Sequence, residues 1–240
     1  MAINTAVIMA AGLGTRFGKY TEKVPKGFIK CGDVSMVERS INTLIDSGIT
    51  RIVIGTGYHK EMYEALQSVY PEVECVFSPR YAETNSMYTL YNCHEAIGDD
   101  DFVLLESDLV FEKKAITSLL DCPEPDVMLI SPVTKFQDQY YVEYGRGHHL
   151  TNCSTDKTLL NAKGELVGIH KLSSQFYHLM CDDYTRKLVD NLKLGYEYQL
   201  LYMSRNIRKV YVLIVDGLKW YEIDDPDDLD YAEKHILKYL

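Results

Sequence analysis

The segment between Ala10 and Lys26 combines glycines with basic side chains, a combination suited to binding phosphate groups. It begins with Ala10, Ala11, Gly12, Leu13, Gly14, Thr15 and Arg16, and it ends with Pro25 and Lys26. Glycines that follow a strand let the backbone come close to a phosphate chain, so that amide N–H groups bind its oxygens. Arginine and lysine neutralise the phosphate charge. We predict that residues 10–16, the glycine loop, bind a phosphate chain together with Lys26.

Two better-known phosphate-binding motifs do not fit the glycine loop. The dinucleotide fingerprint GxGxxG requires a third glycine where the chain has Phe17. The Walker A motif also fails, because the spacing from Gly14 to Gly18 is too short and Tyr20 stands where serine or threonine belongs. The missing third glycine disfavours a dinucleotide-dependent oxidoreductase. A tight turn without a ligand is the structural alternative.

Asp108 is the carboxylate whose position best suits a metal ion. It follows a short apolar strand expected at residues 102–106. Ligands of α/β sheets lie beyond the carboxyl ends of the strands, so Asp108 would stand at the same edge as the glycine loop. Mg²⁺ prefers oxygen ligands and needs only one or two protein carboxylates. We predict that Asp108 binds Mg²⁺, with an ordinary turn residue as the alternative.

The elements that must position these residues alternate between strand and helix. Strands are expected at residues 6–10, 51–55, 73–77, 102–106 and 127–131, and helices at 35–48, 60–69, 85–97 and 112–120. Ser35 and Glu38 form a capping box at the first helix. The alternation predicts an α/β protein with a mainly parallel mixed sheet and helices on both faces.

The second half of the chain has shorter segments, which predict a small β-rich subdomain. Strands are expected at residues 139–144, 158–160 and 165–172, a helix at 174–192, and a hairpin of residues 209–215 and 219–223. The last helix begins with Asp225 as its N-cap. We predict one domain over residues 1–240, with a nucleotide-binding half at 1–132 and an acceptor-binding half at 133–240. A longer native polypeptide remains open.

Composition excludes several classes of partner. The net charge of −10 argues against a nucleic acid polymer, which usually needs a basic face. The six cysteines form no CxxC pair, so we expect reduced thiols in a cytoplasmic protein. The sequence shows neither a signal peptide nor an apolar stretch that would span a membrane. The oligomeric state is open, a homodimer included.

The pattern AAGxGTRxG followed by PK resembles the signature loop of the nucleotidyltransferases that activate sugar phosphates and phosphocholine. The resemblance implies a Rossmann-like, GT-A-type fold in which the glycine loop wraps a nucleoside triphosphate. It also implies catalytic roles for Arg16 on the phosphates and for Lys26 near the α-phosphate. The family's metal ligands fall on Asp108 and, in the stretch YEIDDP, on Asp224, although Asp225 competes with Asp224 for that position.

Residues 81–91, which read YAETNSMYTLY, resemble a stretch of the bacterial phosphocholine cytidylyltransferases. The resemblance implies that Thr84, Asn85 and Ser86 face the nucleotide and that the nucleotide is CTP. Helix capping is the simpler role for Asn85 or Ser86. Residues 25–28, 54–58, 81–91, 104–108 and 167–169 are more narrowly similar to the 2-aminoethylphosphonate cytidylyltransferases.

The resemblance implies that a small phosphonate or phosphate receives the nucleotide. A trimethylammonium group favours an aromatic box, and the chain has one tryptophan, Trp220. A primary ammonium needs hydrogen-bond acceptors, which Glu106 and Glu197 would supply, while Lys157 would contact the phosphonate. A surface role for Glu197 and for Lys157 is the alternative. Phosphocholine, a sugar 1-phosphate and a non-catalytic nucleotide-binding domain remain the competing hypotheses.

Overall fold

The computed structural model describes residues 3–133, 139–188 and 191–240. Its strands are β1 (Thr5–Ala10), β2 (Lys30–Cys31), β3 (Val34–Ser35), β4 (Arg51–Thr56), β5 (Val73–Phe77), β6 (Phe102–Glu106), β7 (Leu109–Phe111), β8 (Val127–Ser131), β9 (Tyr141–Tyr144), β10 (Leu150–Ser154), β11 (Gly164–Leu172), β12 (Tyr211–Ile214) and β13 (Trp220–Glu222). Its α-helices are α1 (Met36–Asp46), α2 (Lys60–Leu66), α3 (Ser86–Asn92), α4 (His94–Ile97), α5 (Lys114–Asp121), α6 (Ser174–Lys187), α7 (Tyr196–Asn206) and α8 (Pro226–His235).

A large mixed sheet forms the centre of the molecule, with the order β10-β9-β11-β6-β1-β4-β5. The strands β6, β1, β4 and β5 are parallel, whereas β11 runs antiparallel to β6, β8 and β9. β8 also pairs in parallel with β12. The apolar runs of β1 and β6 explain their central position, because a parallel strand covered on both faces needs continuous hydrophobic residues.

Helices cover both faces of this sheet, as the alternating pattern predicts. Ala6 and Ile8 pack in one core cluster with the apolar residues of α1, α2 and α5. Val7 and Met9, which point the opposite way, pack in a second cluster with α3, α6 and α7. Alternation of side chains along β1 thus divides one short strand between two cores. The predicted α/β architecture is confirmed.

Both predicted helix caps are present. The Ser35 hydroxyl accepts from the backbone N–H of Glu38, which is the N-cap bond of a capping box at α1, and it donates to the Glu38 carboxylate. The Asp225 carboxylate accepts from the backbone N–H groups of Asp227 and Asp228 at the start of α8. The Asp225 carboxylate therefore caps α8, whereas the Asp224 carboxylate contacts Lys26.

The hairpin predicted around Asp216 and Gly217 is wrong. β12 pairs with β8 in the main sheet, while β13 pairs with β7 in a separate small sheet. Gly217 has the positive φ of a turn, but a turn signal does not determine which strands pair. Each strand instead joins a buried strand that lies far away in the sequence.

The strand predicted at residues 158–160 is also wrong. The segment Lys157–Leu159 forms a 3₁₀ turn, because the Asp156 carboxylate accepts from both the backbone N–H and the hydroxyl of Thr158. Such local side-chain bonds compete with sheet formation. α6 ends at Lys187, earlier than predicted, and residues 189 and 190 of the predicted helix lie outside the described residues.

The carboxyl ends of β1 and β6 lie side by side, since Met9 is paired with Glu106. The glycine loop leaves the first strand and Ser107–Asp108 leaves the second, so the fold places both at one edge of the sheet. This edge is the usual ligand-binding edge of α/β sheets. Within the described ranges, no helix has the length and apolar character needed to cross a bilayer.

Candidate active site

A cavity of about 490 Å³ opens at this edge of the sheet. Most of the residues predicted from the sequence line it, namely Ala10, Ala11, Gly12, Leu13, Gly14, Thr15, Arg16, Lys26, Thr84, Asn85, Ser86, Glu106, Asp108 and Glu197. Asp224 lies behind this lining, where it contacts Lys26. Lys157 lies apart from it and places its ammonium group 5.3 Å from the centre of the Tyr141 ring.

The glycine loop holds its shape through one left-handed glycine. Gly14 has φ = 63°, and its carbonyl oxygen accepts from the Phe17 N–H and from the Thr21 hydroxyl. A Cβ at Gly14 would lie 3.2 Å from the Cβ of Lys26, so the absence of a side chain lets the loop pack against this lysine. A Cβ at Gly12 would meet nothing within 4 Å, so the backbone at Gly12 faces open space. This arrangement suits the approach of a phosphate chain.

Lys26 lies at the centre of a compact charge cluster. Its ammonium nitrogen is 2.5 Å from Asp108 Oδ2 and 2.6 Å from Asp224 Oδ1. The guanidinium of Arg16 is 2.7 Å from the same Asp224 oxygen. Two cations predicted to bind phosphate thus share two carboxylates predicted to bind metal. The four side chains come from distant parts of the sequence, and the fold brings them together.

The pKa of Lys26 reflects opposing influences. Burial lowers the pKa, but the negative charges of Asp108, Asp224 and Glu222 outweigh burial, so the pKa is raised above its ordinary value. Lys26 therefore keeps its positive charge throughout the neutral pH range. A permanent cation at this position is suited to stabilising charge on a phosphate group.

The carboxylates around Asp108 fit a divalent cation. Asp108 Oδ1 is buried and has no hydrogen-bond partner in the described part of the chain, so one oxygen is available as a ligand. Glu106, Asp108 and Glu222 each offer an oxygen, and these oxygens lie within 4.8 Å of one another. Such an oxygen-only donor set suits Mg²⁺. Asp224, the second ligand predicted from the sequence, is engaged by Lys26 and Arg16.

The cavity wall also holds the half-buried Glu106, beside Asp108, and the buried Glu197. Glu106 Oε1 accepts a 2.6 Å hydrogen bond from the Tyr196 hydroxyl. Burial, followed by the charges of Glu222, Asp108 and Glu197, raises the pKa of Glu106. Burial raises the pKa of Glu197 to about 7, and Glu197 Oε2 has no hydrogen-bond partner among the residues described. Two carboxylates at the cavity wall, one of which has a buried oxygen without a partner among the described residues, are suited to binding a cation.

Thr84, Asn85 and Ser86 lie at the cavity wall, but their side chains also bond to the protein. Thr84 donates to the carbonyl of Arg80, and Asn85 accepts from the Ser86 N–H at the start of α3. The Ser86 hydroxyl accepts from the backbone N–H of Tyr196. Helix capping by Asn85, the simpler alternative, is therefore present. Contact with a nucleotide base remains a prediction for all three residues.

Several lining residues were not identified from the sequence. Glu222 lies two residues before Asp224 and accepts a 3.2 Å hydrogen bond from Gln139. The alternation of side chains along a strand could have indicated that both acidic residues share a face. Gly168 has φ = 76° within β11 and faces Glu106, and an isolated glycine in a strand pattern is a known signal of a bulge or close contact. Trp220, in contrast, is buried in the core.

Comparison with known proteins gives the family of the chain. A model of the MobA-like NTP transferase domain family matches residues 6–175. The 2-aminoethylphosphonate cytidylyltransferase of Lancefieldella rimae is 36% identical over 111 residues, which cover 46% of this chain and 45% of that relative. The choline-phosphate cytidylyltransferase of Streptococcus pneumoniae is 28% identical over 239 residues, which cover 97% of this chain and 98% of that relative.

A solved structure supports the fold. The CTP:phosphocholine cytidylyltransferase from Streptococcus pneumoniae matches with a TM-score of 0.81 at 24% identity, and the match covers 98% of this chain and 99% of that one. This likeness confirms the Rossmann-like nucleotidyltransferase fold that the sequence predicts. The family model covers well over half of the chain. The protein therefore belongs to the MobA-like NTP transferase domain family, and it is a nucleotidyltransferase.

Proposed function

We propose that the protein is a cytidylyltransferase that transfers CMP from CTP to 2-aminoethylphosphonate and releases pyrophosphate. The observation that carries the choice of acceptor is Glu197, a residue of the cavity lining whose buried Oε2 has no hydrogen-bond partner among the described residues. The relative from Lancefieldella rimae bears the name of this activity, and the relative from Streptococcus pneumoniae bears the name of a second cytidylyltransferase.

The reaction would be a direct in-line displacement. A phosphonate oxygen of the acceptor attacks the α-phosphorus of CTP, a new P–O bond forms, and the bond to the β-phosphate breaks as pyrophosphate leaves. The acceptor oxygen is already anionic near neutral pH, so no general base is required. Lys26 and Arg16 would position the triphosphate and stabilise its charge. Mg²⁺ held by Asp108 together with Asp224 or Glu222 would neutralise charge on the phosphate oxygens.

The acidic pocket favours a primary ammonium over a trimethylammonium group. An –NH₃⁺ group has three hydrogens to donate, and the carboxylates of Glu106 and Glu197 are acceptors at the cavity wall. A trimethylammonium group donates none and is usually bound by aromatic faces, tryptophan being the most favourable. Trp220 belongs to the core cluster instead of the cavity lining. Lys157, which the sequence suggested as a phosphonate ligand, would have to be replaced in that role by Lys193 at the cavity wall.

A pyrophosphate-release assay would test this proposal. CTP, UTP, GTP and ATP are each combined with 2-aminoethylphosphonate, phosphocholine or glucose 1-phosphate in the presence of Mg²⁺. We expect the highest kcat/KM for CTP with 2-aminoethylphosphonate. A preference for phosphocholine would instead support the second candidate, which the nearly full-length match to the choline-phosphate enzyme favours. CTP binding without pyrophosphate release from any acceptor would point to a non-catalytic domain.

Glu197→Gln is expected to lower kcat/KM for 2-aminoethylphosphonate by about 10- to 100-fold. The substitution preserves shape but removes a charged hydrogen bond to the ammonium, an interaction of about 1.5–3 kcal/mol. The KM for CTP should be unchanged. Initial rates at varied acceptor concentration measure the effect, with the exposed Glu95→Gln as the matched control. Equal kcat/KM in the two variants would exclude Glu197 as an acceptor ligand.

The same variant should change the pH dependence. Because burial raises the pKa of Glu197 to about 7, this carboxylate is ionised above that pH and becomes protonated below it. The kcat/KM for 2-aminoethylphosphonate should therefore fall as the pH decreases through about 7. Glu197→Gln should flatten this fall. Ethylphosphonate, which lacks the amine, controls for titration of the phosphonate group itself.

The domain and cellular assignments also remain proposals. We propose that residues 1–240 act as one catalytic domain, with the nucleotide at the glycine loop and the acceptor at the wall contributed by Gln139 and Glu197. A cytoplasmic location is proposed because the six cysteines are free thiols.

A further inference from the structure

A buried hydrogen-bonded chain leads from the core to the acidic pocket. Nε2 of His170 lies 3.3 Å from the Tyr196 hydroxyl oxygen, and that hydroxyl lies 2.6 Å from Glu106 Oε1. The side chains of His170 and Tyr196 are fully buried, and their rings meet edge to face. His170 pairs with Leu104 across β11 and β6, and Leu104 and Glu106 point to the same face of the sheet. The backbone therefore places the imidazole behind Glu106.

The hydrogen bonds of this chain have one consistent direction. The short contact to Glu106 uses the single proton of the Tyr196 hydroxyl. His170 must then donate its Nε2–H to the tyrosine oxygen, which leaves Nδ1 as an unprotonated acceptor. Nδ1 is indeed buried without a hydrogen-bond partner in the described ranges, and burial lowers the pKa of His170 to about 3, so the ring is neutral. The neutral imidazole thus fixes the orientation of the Tyr196 hydroxyl.

Two further contacts restrict Glu106 and Tyr196. The backbone N–H of Tyr196 donates to the Ser86 hydroxyl at 3.0 Å, which ties the start of α7 to the start of α3. On the other side of Glu106, a Cβ at Gly168 would lie only 3.2 Å from Glu106 Oε2. The missing side chain at Gly168 therefore leaves room for the Glu106 carboxylate, and the Tyr196 hydroxyl fixes the position of its Oε1.

We propose that Tyr196 and His170 are positioning residues that hold Glu106 in the orientation needed to bind the acceptor's ammonium group. This inference rests on the proposed function, because it assigns an ammonium to the pocket. Neither residue touches the reacting atoms. Their effect is selectivity: they favour acceptors that carry a primary amine two carbons from phosphorus over acceptors of the same size that lack it. A Glu106 carboxylate that is already held by a hydrogen bond loses less conformational entropy when the ammonium binds, so positioning increases the affinity for the acceptor.

The test uses Tyr196→Phe with two acceptors, 2-aminoethylphosphonate and ethylphosphonate. The variant keeps the buried ring and removes only the hydroxyl. We expect the KM for 2-aminoethylphosphonate to rise about 10-fold, while kcat, the KM for CTP and the kinetics with ethylphosphonate stay the same. Tyr202→Phe on the exposed side of α7 is the matched control. If Tyr196 had a purely structural role, the variant would change the kinetics with both acceptors to the same extent.

His170 provides a second measurement. His170→Gln places an amide N–H near the position of Nε2 and should retain most of the amine selectivity, whereas His170→Leu should lose it as Tyr196→Phe does. If wild-type protein uses both acceptors equally, the proposed acceptor is wrong. If wild-type protein selects the amine and Tyr196→Phe selects it equally well, the positioning role is wrong. If the variants at one of the two positions, Tyr196 or His170, do not fold, the variants at the other position provide the comparison.

Discussion

Lys26→Ala is expected to lower kcat for nucleotidyl transfer by about 10³-fold, comparable with the loss of a preorganised cation from other phosphoryl-transfer sites. Lys26 is the cation closest to both candidate metal-binding aspartates, and the Gly14 turn packs the glycine loop against it. Its charge is maintained at neutral pH because its pKa is raised. No other described lysine occupies the same position between Asp108 and Asp224.

The measurement compares pyrophosphate release by Lys26→Ala and by Lys23→Ala, which removes an exposed positive charge close by in the sequence. The control should retain nearly full activity. Removing Lys26 leaves two neighbouring carboxylates without their shared cation, which destabilises the folded protein. Circular dichroism and the Tm therefore show whether the variants are folded. Mg²⁺ should recover part of any loss in Tm. Turnover within a few fold of wild type in a folded Lys26→Ala protein would refute the proposed role.

The local features of the site could be predicted from the sequence because they depend on neighbouring residues. A buried strand followed by glycines determines that the loop leaves the sheet at Ala10, and the same reasoning applies to Asp108 after β6. Parallel strands then place both at one edge without any knowledge of the remaining fold. Helix caps at Ser35 and Asp225 are likewise local, and both were predicted correctly.

Long-range pairing could not be predicted in the same way. β13 carries Glu222 and leads to Asp224, and it reaches the site by pairing with β7 instead of β12. Nothing in the neighbouring sequence distinguishes these partners, since both β7 and β12 are short runs of apolar residues. The error in the hairpin is therefore connected to the failure to identify Glu222: without the β13–β7 pair, the cluster of Glu106, Asp108 and Glu222 is not apparent.

Burial of polar side chains was equally difficult to predict. Glu197 has an acidic side chain of a type that is usually exposed, yet it is 6% exposed and lies beside the fully buried Tyr196. The first residues of α7 enter the molecule because Tyr196 packs into the core beneath the cavity. Lys157 shows the opposite case, since a lysine that could have bound a phosphonate lies in a 3₁₀ turn away from the cavity.

Asp108→Asn is expected to lower kcat by about 10³-fold and to weaken Mn²⁺ binding, which can be measured by electron paramagnetic resonance without any turnover. The substitution preserves volume but removes the negative charge that faces Lys26. It also replaces the carboxylate whose Oδ1 has no hydrogen-bond partner among the described residues. Loss of about 4 kcal/mol of charge stabilisation corresponds to this change in rate.

Asp99→Asn is the matched control, because Asp99 precedes β6 while Asp108 follows it, and its side chain is 96% exposed. The control should bind Mn²⁺ and turn over as wild type does. The two readouts separate the possible roles of Asp108. If Mn²⁺ binding persists in Asp108→Asn while kcat falls, Asp108 acts through Lys26, and the metal depends on Glu106, Glu222 or Asp224. If both are unchanged, Asp108 is a turn residue, because neither its charge nor its free oxygen contributes to catalysis.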